Sequence, residues 1–336
     1  MLIVYSSFIS DEKIHICFHK SCVDGLFSVI VLVKCLEKSE SLYENYNLVP
    51  LTPTEINRHS ERILELQHKK KIILDLPYFG TNVVYYFDHH ITNQDKIPIS
   101  NNFGLLDISA ASTCSVLKNY FQIADESELQ LIIQIADIVD QAQFATSPPS
   151  SGDLKLKTFD DIVWACNDLI KDIRDENTLI ELLETFDIKN MTEWIRNHES
   201  YVMNYRRRRQ ETLNIKDKLQ PTPIILIKNE TLNLQAEGLH FSLAAENPEY
   251  RMLILIDKIN KFKKKAKHKY KVSFRLNPKL TDLETDTLRV DTIARELGGG
   301  GHKGAASATI NNLGTQLNKI INWVASLGLK FSEYQF

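Results

Sequence analysis

No apolar run in the chain approaches the roughly 18 residues that a membrane helix needs, so no membrane segment is expected. Cysteine is sparse and scattered. Cys17, Cys22, Cys35, Cys114 and Cys166 show no C-x-x-C spacing, which removes the zinc knuckle and gives no basis for a disulfide framework. Most should be buried thiols. The opening MLIVYSSFISDEKIHICFH has no basic n-region, so no secretory leader is expected and the reading is a cytoplasmic protein. Nor does positive charge dominate: 40 Lys and Arg stand against 43 Asp and Glu, for a formal net charge of −3, which argues against a coat for long nucleic acid. Internal repeats and low-complexity tracts are absent.

What remains is a globular composition, 43% hydrophobic and 25% charged, in 336 residues. That length accommodates two domains, each burying a core of its own. Charge is uneven along it. YRRRRQ (Tyr205 to Gln210) and KINKFKKKAKHKYK (Lys258 to Lys271) are dense enough to attract phosphates, although such runs are more often solvated faces or hairpin tips.

Over about the first 145 residues short apolar runs alternate with longer amphipathic ones, the pattern of a parallel sheet covered by helices on both faces. KIHICFH, YNLVPL, KKIILDL and NVVYYFD are expected strands. DGLFSVIVLVKCLEKSE is an expected helix, with Leu26, Val29, Ile30, Val33 and Leu36 at helical spacing. TEINRHSERILELQH, SAASTCSVLKNYFQIA and ELQLIIQIADIVDQA are further helices. TSPPSSGD breaks the pattern, residues 158 to 218 look helical, and strand-like runs return from Pro221 as PIILI, RMLILID, YKVSFRL and ASATI before a last helix. The expected architecture is α/β, an N-terminal doubly wound, mainly parallel sheet followed by a smaller mixed-sheet α+β domain. The expected boundaries are 1–147, a helical continuation and linker over 148–220, and 221–336.

Polar groups collect where the strands stop: His19 to Asp24, Asp75, and Asp88 to His90, with Asp137 or Asp140 at a helix end. The carboxyl ends of parallel strands share one edge, so these groups should converge. Any one histidine there is more often a satisfied core or loop residue. A mixture of carboxylates and imidazoles without a thiolate pair suits Mn²⁺ or Mg²⁺ better than structural zinc. Without a cation, so many gathered carboxylates would repel one another.

The ordered set HKSCVDG, ILDL, FDHH and IADIVDQAQF, followed by VSFR and GGGGHKGAASA, resembles the DHH phosphoesterase superfamily with its DHH-associated C-terminal domain. The motifs belong to different domains and stand in the family's order, over residues 14–145 and 222–310. The resemblance implies a pair of divalent ions, Mn²⁺ or Mg²⁺, held by His19, Asp24, Asp75, His89 and Asp140, with Asp75 as the bridge. Asp137 competes with Asp140, but DQAQF fits the family spacing better. By the same resemblance Asp88 orients its neighbours or the attacking water, and His90 faces the scissile phosphate. Arg275 and His302 hold a substrate phosphate, which the glycines Gly298, Gly299, Gly300 and Gly301 let backbone amides approach.

One departure stands out. The family carries two aspartates in the first motif, and here Leu26 stands where the second is expected, with Cys22 nearby as a substitute soft ligand, a core thiol or a spacer, of which the core or spacer reading is preferred. The implied activity is hydrolysis of short oligoribonucleotides, dinucleotides or a nucleoside 3′,5′-bisphosphate, as in the nano-RNases and nucleotide phosphatases. A RecJ-type single-strand exonuclease, a polyphosphate or pyrophosphate hydrolase, and a nucleotide-binding module without catalysis are the alternatives. The expected partner is a short RNA or nucleotide, and a homodimer is among the arrangements the sequence allows.

Overall fold

Near-continuous apolar runs mark strands buried on both faces, and four of the five strands of the first sheet are mostly such runs. The computed structural model describes residues 13–36, 46–97, 104–146, 148–149, 152–230, 234, 236–259, 269–311 and 313–336. These fall into two units, one of residues 1–144 and 154–202, the other of residues 145–153 and 203–336.

In the first unit β1 (Ile14–His19), α1 (Val23–Leu36), β2 (Tyr46–Leu51), α2 (Pro53–Asn57), α3 (Glu61–Leu66), β3 (Lys71–Leu74), β4 (Val83–Asp88) and β5 (Gly104–Leu106) lead into α4 (Thr113–Phe121) and α5 (Leu129–Asp140). All five strands are parallel, in the order β2-β1-β3-β4-β5. The chain runs outward from β1 to β2 and then returns to β3 on the other side of β1. That reversal opens a crevice at the carboxyl ends of β1 and β3.

One face of the sheet packs Ile16, Phe18, Ile72, Leu74 and Phe87 against α1, α4 and α5, and the other packs Cys17, Ile73 and Tyr86 against α2 and α3. The expected doubly wound sheet is present. The helix expected over TEINRHSERILELQH is two short ones, because His59 between them adopts a left-handed φ of 47° that a continuing helix does not allow. Beyond α5, α6 (Phe159–Asp172), α7 (Glu176–Glu184) and α8 (Met191–Asn197) add Val163, Leu169, Leu182 and Ile195 to the same core. Threonine caps start several helices. Thr158 accepts from the Asp161 amide while the Asp161 carboxylate accepts from the Thr158 amide, which satisfies two otherwise orphaned donors at the start of α6.

After residues 145–153 the second unit resumes inside α9 (Glu199–Leu213) and continues through β6 (Ile224–Asn229), α10 (Ala236–Glu246), β7 (Met252–Lys258), β8 (Tyr270–Leu276), α11 (Asp282–Leu288), α12 (Val290–Glu296), β9 (Gly300–Gly301), β10 (Ala305–Ile310), α13 (Leu313–Ser326) and β11 (Phe331–Gln335). Its sheet, ordered β11-β6-β7-β8-β10-β9, is mixed: β11, β6 and β7 are parallel, and β8, β10 and β9 antiparallel. The expected mixed α+β sheet is therefore present as well. The arginine run lies on α9, where Arg206 and Arg209 are buried and only Arg207 is well exposed. Arg209 donates to the Pro149 carbonyl at 3.4 Å and lies 5.2 Å from the Tyr205 ring centroid. Part of the phosphate-attracting stripe expected there is internal packing. Of the second basic stretch, Lys263 to Lys265 lie outside the described residues.

Candidate metal centre

Three strands of the first sheet end in polar groups, and the structure brings those groups together. His19 closes β1, Asp75 follows β3, and Asp88, His89 and His90 close and follow β4. Asp24 sits in the first turn of α1, where the next residue, Gly25, lets the helix press onto β1. A Cβ at Gly25 would lie 2.2 Å from the His19 carbonyl oxygen.

Asp75 is the hinge of the arrangement. Its donor atoms lie within 4.8 Å of those of His19 and Cys22 in one group, of Asp24 and His89 in a second, and of Asp88 and His90 in a third. Its backbone is left-handed, with φ 54°. A non-glycine residue there carries strain that the surrounding fold must over-determine, and such strain concentrates at functional sites. Asp75 Oδ2 is 3.1 Å from His19 Nδ1, whereas Oδ1 is buried and accepts no hydrogen bond, with His90 Nδ1 at 3.4 Å.

Asp24, fully buried, is held by the amino end of α4: its two carboxylate oxygens accept from the Thr113 amide at 2.7 Å and the Cys114 amide at 3.0 Å. His89 Nε2 bridges Asp24 Oδ2 at 3.7 Å and Asp140 Oδ2 at 3.4 Å. Asp137, one turn earlier on α5, is engaged elsewhere, accepting from Ser112 Oγ at 2.5 Å and Ser115 Oγ at 2.8 Å. Of the two competing aspartates, Asp140 is the one beside His89.

Asp88 is saturated. It accepts from Tyr86 Oη at 2.8 Å, Asn93 Nδ2 at 2.6 Å and the His89 amide at 2.9 Å, and lies 2.8 Å from His90 Nδ1. Such a carboxylate fixes its neighbours. Tyr86, Asn93, Ser112 and Ser115 were not among the residues singled out from sequence. Only Ser112 carried a usable signal, as the N-cap of α4.

The electrostatics reflect crowded acids. Burial, and then the Asp75 charge, push Asp24 up to about 7. Burial opposes charge on His90 too, yet Asp88, then Asp75 and Asp140, push it up to about 10. Burial, with Asp75, Asp140 and Asp24 around it, raises the Cys22 thiol well above its ordinary value. A divalent cation fits this donor set: it would neutralise clustered carboxylates that otherwise repel one another, and the buried Asp75 Oδ1 has the chemistry to receive it.

The two residues at the departure in the first motif lie in different surroundings. Leu26 is buried in the hydrophobic core beneath the sheet and has no place among the polar groups. Cys22, half-buried at the amino end of α1, is the residue grouped with His19 and Asp75.

This combination decides the comparison: a parallel sheet in the order β2-β1-β3-β4-β5, acids and imidazoles at its carboxyl edge, and a mixed sheet in the second unit. A pGpG-specific phosphodiesterase, PggH of Vibrio cholerae, superposes with a TM-score of 0.56 at 17% identity, covering 94% of this chain and 99% of that one. The chain has the DHH-family fold. A DHH domain from a member of a ribosomal-protein family matches with a TM-score of 0.55 at 10% identity, covering 95% of this chain and 87% of that one. The exonuclease RecJ bound to manganese matches with a TM-score of 0.52 at 14% identity, covering 94% and 90%. No protein-family model matches the sequence, and no curated protein does.

The DHH fold's second unit carries the other predicted residues. Arg275 on β8 pairs across the sheet with Ala305, and Ala305 closes the turn that begins at His302, donating to the His302 carbonyl at 3.2 Å. The sheet register thus puts Arg275 and His302 at one end of the β8–β10 pair. The glycines have a different first duty. A Cβ on Gly299 would meet the Ser307 carbonyl oxygen at 2.0 Å, and one on Gly301 the Ala305 carbonyl oxygen at 2.5 Å. Both are needed for β9 to lie against β10. Gly298, with φ 78° and no atom within 4 Å of where a Cβ would stand, is the open one.

Proposed function

We propose that the chain is a divalent-metal-dependent phosphoesterase that hydrolyses short nucleotides: oligoribonucleotides of a few residues, dinucleotides or a nucleoside 3′,5′-bisphosphate. The observation that carries this is Asp75, whose carboxylate is common to the His19 group and to the Asp24–His89 group. A carboxylate shared in this way is what two adjacent cations require of a protein. His19, Asp24, Asp75, His89 and Asp140 are the residues that would hold the ions.

When bound, such ions stabilise the charge of a phosphoryl group and lower the pKa of water to supply the nucleophile. The chain's own residues do the rest. Asp88 locks His89 and His90 in orientation through its hydrogen bonds. His90 is thereby aimed for the scissile phosphate. Arg275 and His302 of the second unit are assigned to a second phosphate of the substrate, for which a guanidinium fork supplies paired, charge-assisted hydrogen bonds.

Short substrates are favoured because the pGpG-specific phosphodiesterase, matched over 99% of its length, is named for a dinucleotide. The test is a product assay with purified protein and Mn²⁺ on labelled dinucleotides, short RNAs, cyclic dinucleotides, nucleoside bisphosphate, pyrophosphate and long single-stranded DNA. Mononucleotide release from the dinucleotide, abolished by a chelator, is the expected result. Processive digestion of the long strand would place the activity with the exonucleases, and nucleotide binding without turnover would make the chain a sensor.

A further inference from the structure

Cys22 occupies an unusual place for a spacer. It is neither packed in a hydrophobic cluster nor turned to open solvent, and its sulfur lies within 4.8 Å of the donor atoms of His19 and Asp75. Nitrogen, sulfur and oxygen donors about 2.0–2.3 Å from one ion lie about 3–4 Å from each other, so a modest inward movement brings these three onto a common centre. Asp75 Oδ2 is already 3.1 Å from His19 Nδ1 there. Cys22 also directly precedes the first residue of α1.

Two of the three groups that share Asp75 differ in chemistry. Asp24, Asp75, His89 and Asp140 offer carboxylate and imidazole. His19, Cys22 and Asp75 offer imidazole, thiolate and carboxylate. Hard oxygen donors suit Mn²⁺ and Mg²⁺, and a thiolate shifts preference toward Zn²⁺ and Co²⁺.

We propose that Cys22 is a direct metal ligand with His19 and Asp75, making one of the two cation positions softer than the other, so that the centre takes a borderline-soft ion such as Zn²⁺ or Co²⁺ beside a harder one. This rests on the reading of the cluster as a metal centre, and the two can be told apart. Metal-stripped protein is titrated with Co²⁺ and followed by absorption. Ligand-field bands report any Co²⁺ bound at the cluster, whereas a near-ultraviolet sulfur-to-cobalt charge-transfer band reports the thiolate alone.

Wild type should show both. Cys22→Ser should lose the charge-transfer band and keep ligand-field absorption, and Cys114→Ser, which alters the neighbouring buried thiol, should keep both. Serine and aspartate are good N-caps, so Cys22→Ser and Cys22→Asp retain the start of α1. Cys22→Asp should shift the ratio of Zn²⁺ to Mn²⁺ affinity toward Mn²⁺ by at least about tenfold. Ligand-field absorption without a charge-transfer band in wild type, or a band that survives Cys22→Ser, would overturn the thiolate ligand and leave the metal centre standing. Failure of the protein to take up Co²⁺ at all would overturn both.

Discussion

Asp137 and Asp140 lie one turn apart on α5 and serve different masters: Asp137 binds the hydroxyls of Ser112 and Ser115, while Asp140 reaches within 3.4 Å of His89. Their alanine variants should therefore separate. Asp140→Ala is expected to weaken divalent-ion binding by about 10- to 100-fold in a metal titration, with little change in the melting temperature of the metal-free protein. Asp137→Ala should lower stability by about 1–3 kcal/mol through the loss of hydrogen bonds to a charged acceptor, with metal affinity changed far less. The reverse pattern would exchange their roles.

Asp75→Asn keeps a residue type that tolerates a left-handed backbone, so the fold should survive. What should vanish is the metal response. At a Mn²⁺ concentration about 100 times the dissociation constant, wild type should gain about 2.7 kcal/mol of stability, and the variant almost none. Differential scanning fluorimetry with and without Mn²⁺ measures it directly, and an undiminished shift in Asp75→Asn would remove Asp75 from the centre.

Arg275→Ala should cut turnover of a dinucleotide strongly while leaving bis-p-nitrophenyl phosphate comparatively unaffected. The generic ester has no second phosphate to receive the guanidinium, and each charge-assisted hydrogen bond lost is worth about 1.5–3 kcal/mol. Remote binding energy of this kind orients the reacting bond, so kcat as well as KM should respond. Equal losses on the two substrates would assign Arg275 a structural role.

On α9 the arginines divide by burial. Arg209→Ala should destabilise the protein by about 2–4 kcal/mol in denaturant unfolding, since it strips a buried guanidinium from Tyr205 and the Pro149 carbonyl. Arg207→Ala, on the exposed side, should leave stability within about 0.5 kcal/mol. Any effect of Arg207→Ala on RNA affinity should fade as salt is raised.

Asp291, buried in the second unit, accepts from Arg289 at 2.7 and 3.1 Å and from Arg295 at 3.1 Å. Burial works against its charge, but the two guanidinium groups prevail and hold its carboxyl below the ordinary value. A carboxylate lowered in this way stabilises the fold fully above the unfolded value of about 4 and ceases to do so as pH falls through its native value. Because both arginines are partly exposed, Asp291→Asn should cost only about 1–2 kcal/mol at neutral pH. That difference from wild type should shrink progressively below about pH 4. A gap independent of pH would mean that packing, and not charge, is what the substitution removes.

Sequence carried the buried strands well and the marginal ones poorly. β1 to β4 are mostly apolar runs, largely covered on both faces, which leaves little freedom in how they are read. β5 is three residues long, and β11 alternates between exposed and half-buried positions, so neither makes an apolar run. The polar strand ends were legible because parallel strands must deliver them to one edge. What spacing alone left open was direction. Asp137 and Asp140 share a helix face, and only the serines of α4 separate them. Cys22 and Leu26 are one helical turn apart, and only the core shows which is turned away from the site. The glycine run likewise read as a phosphate cradle, while the contacts of Gly299 and Gly301 with β10 answer first to strand packing.

The two units are not two successive stretches of chain. Residues 145–153 belong with the second unit, after which the chain returns to supply α6 to α8 to the first. A chain emerging from the ribosome can therefore complete neither core when the last strand of the first sheet appears. Val163, Leu169, Leu182 and Ile195 must arrive before the first core closes, and residues 145–153 must wait for Arg209 and the strands after it. The order of synthesis thus favours a first unit that matures only after about 200 residues have been made, and a fragment ending at the proline-rich breaker would expose the helix faces that α6 to α8 are built to cover.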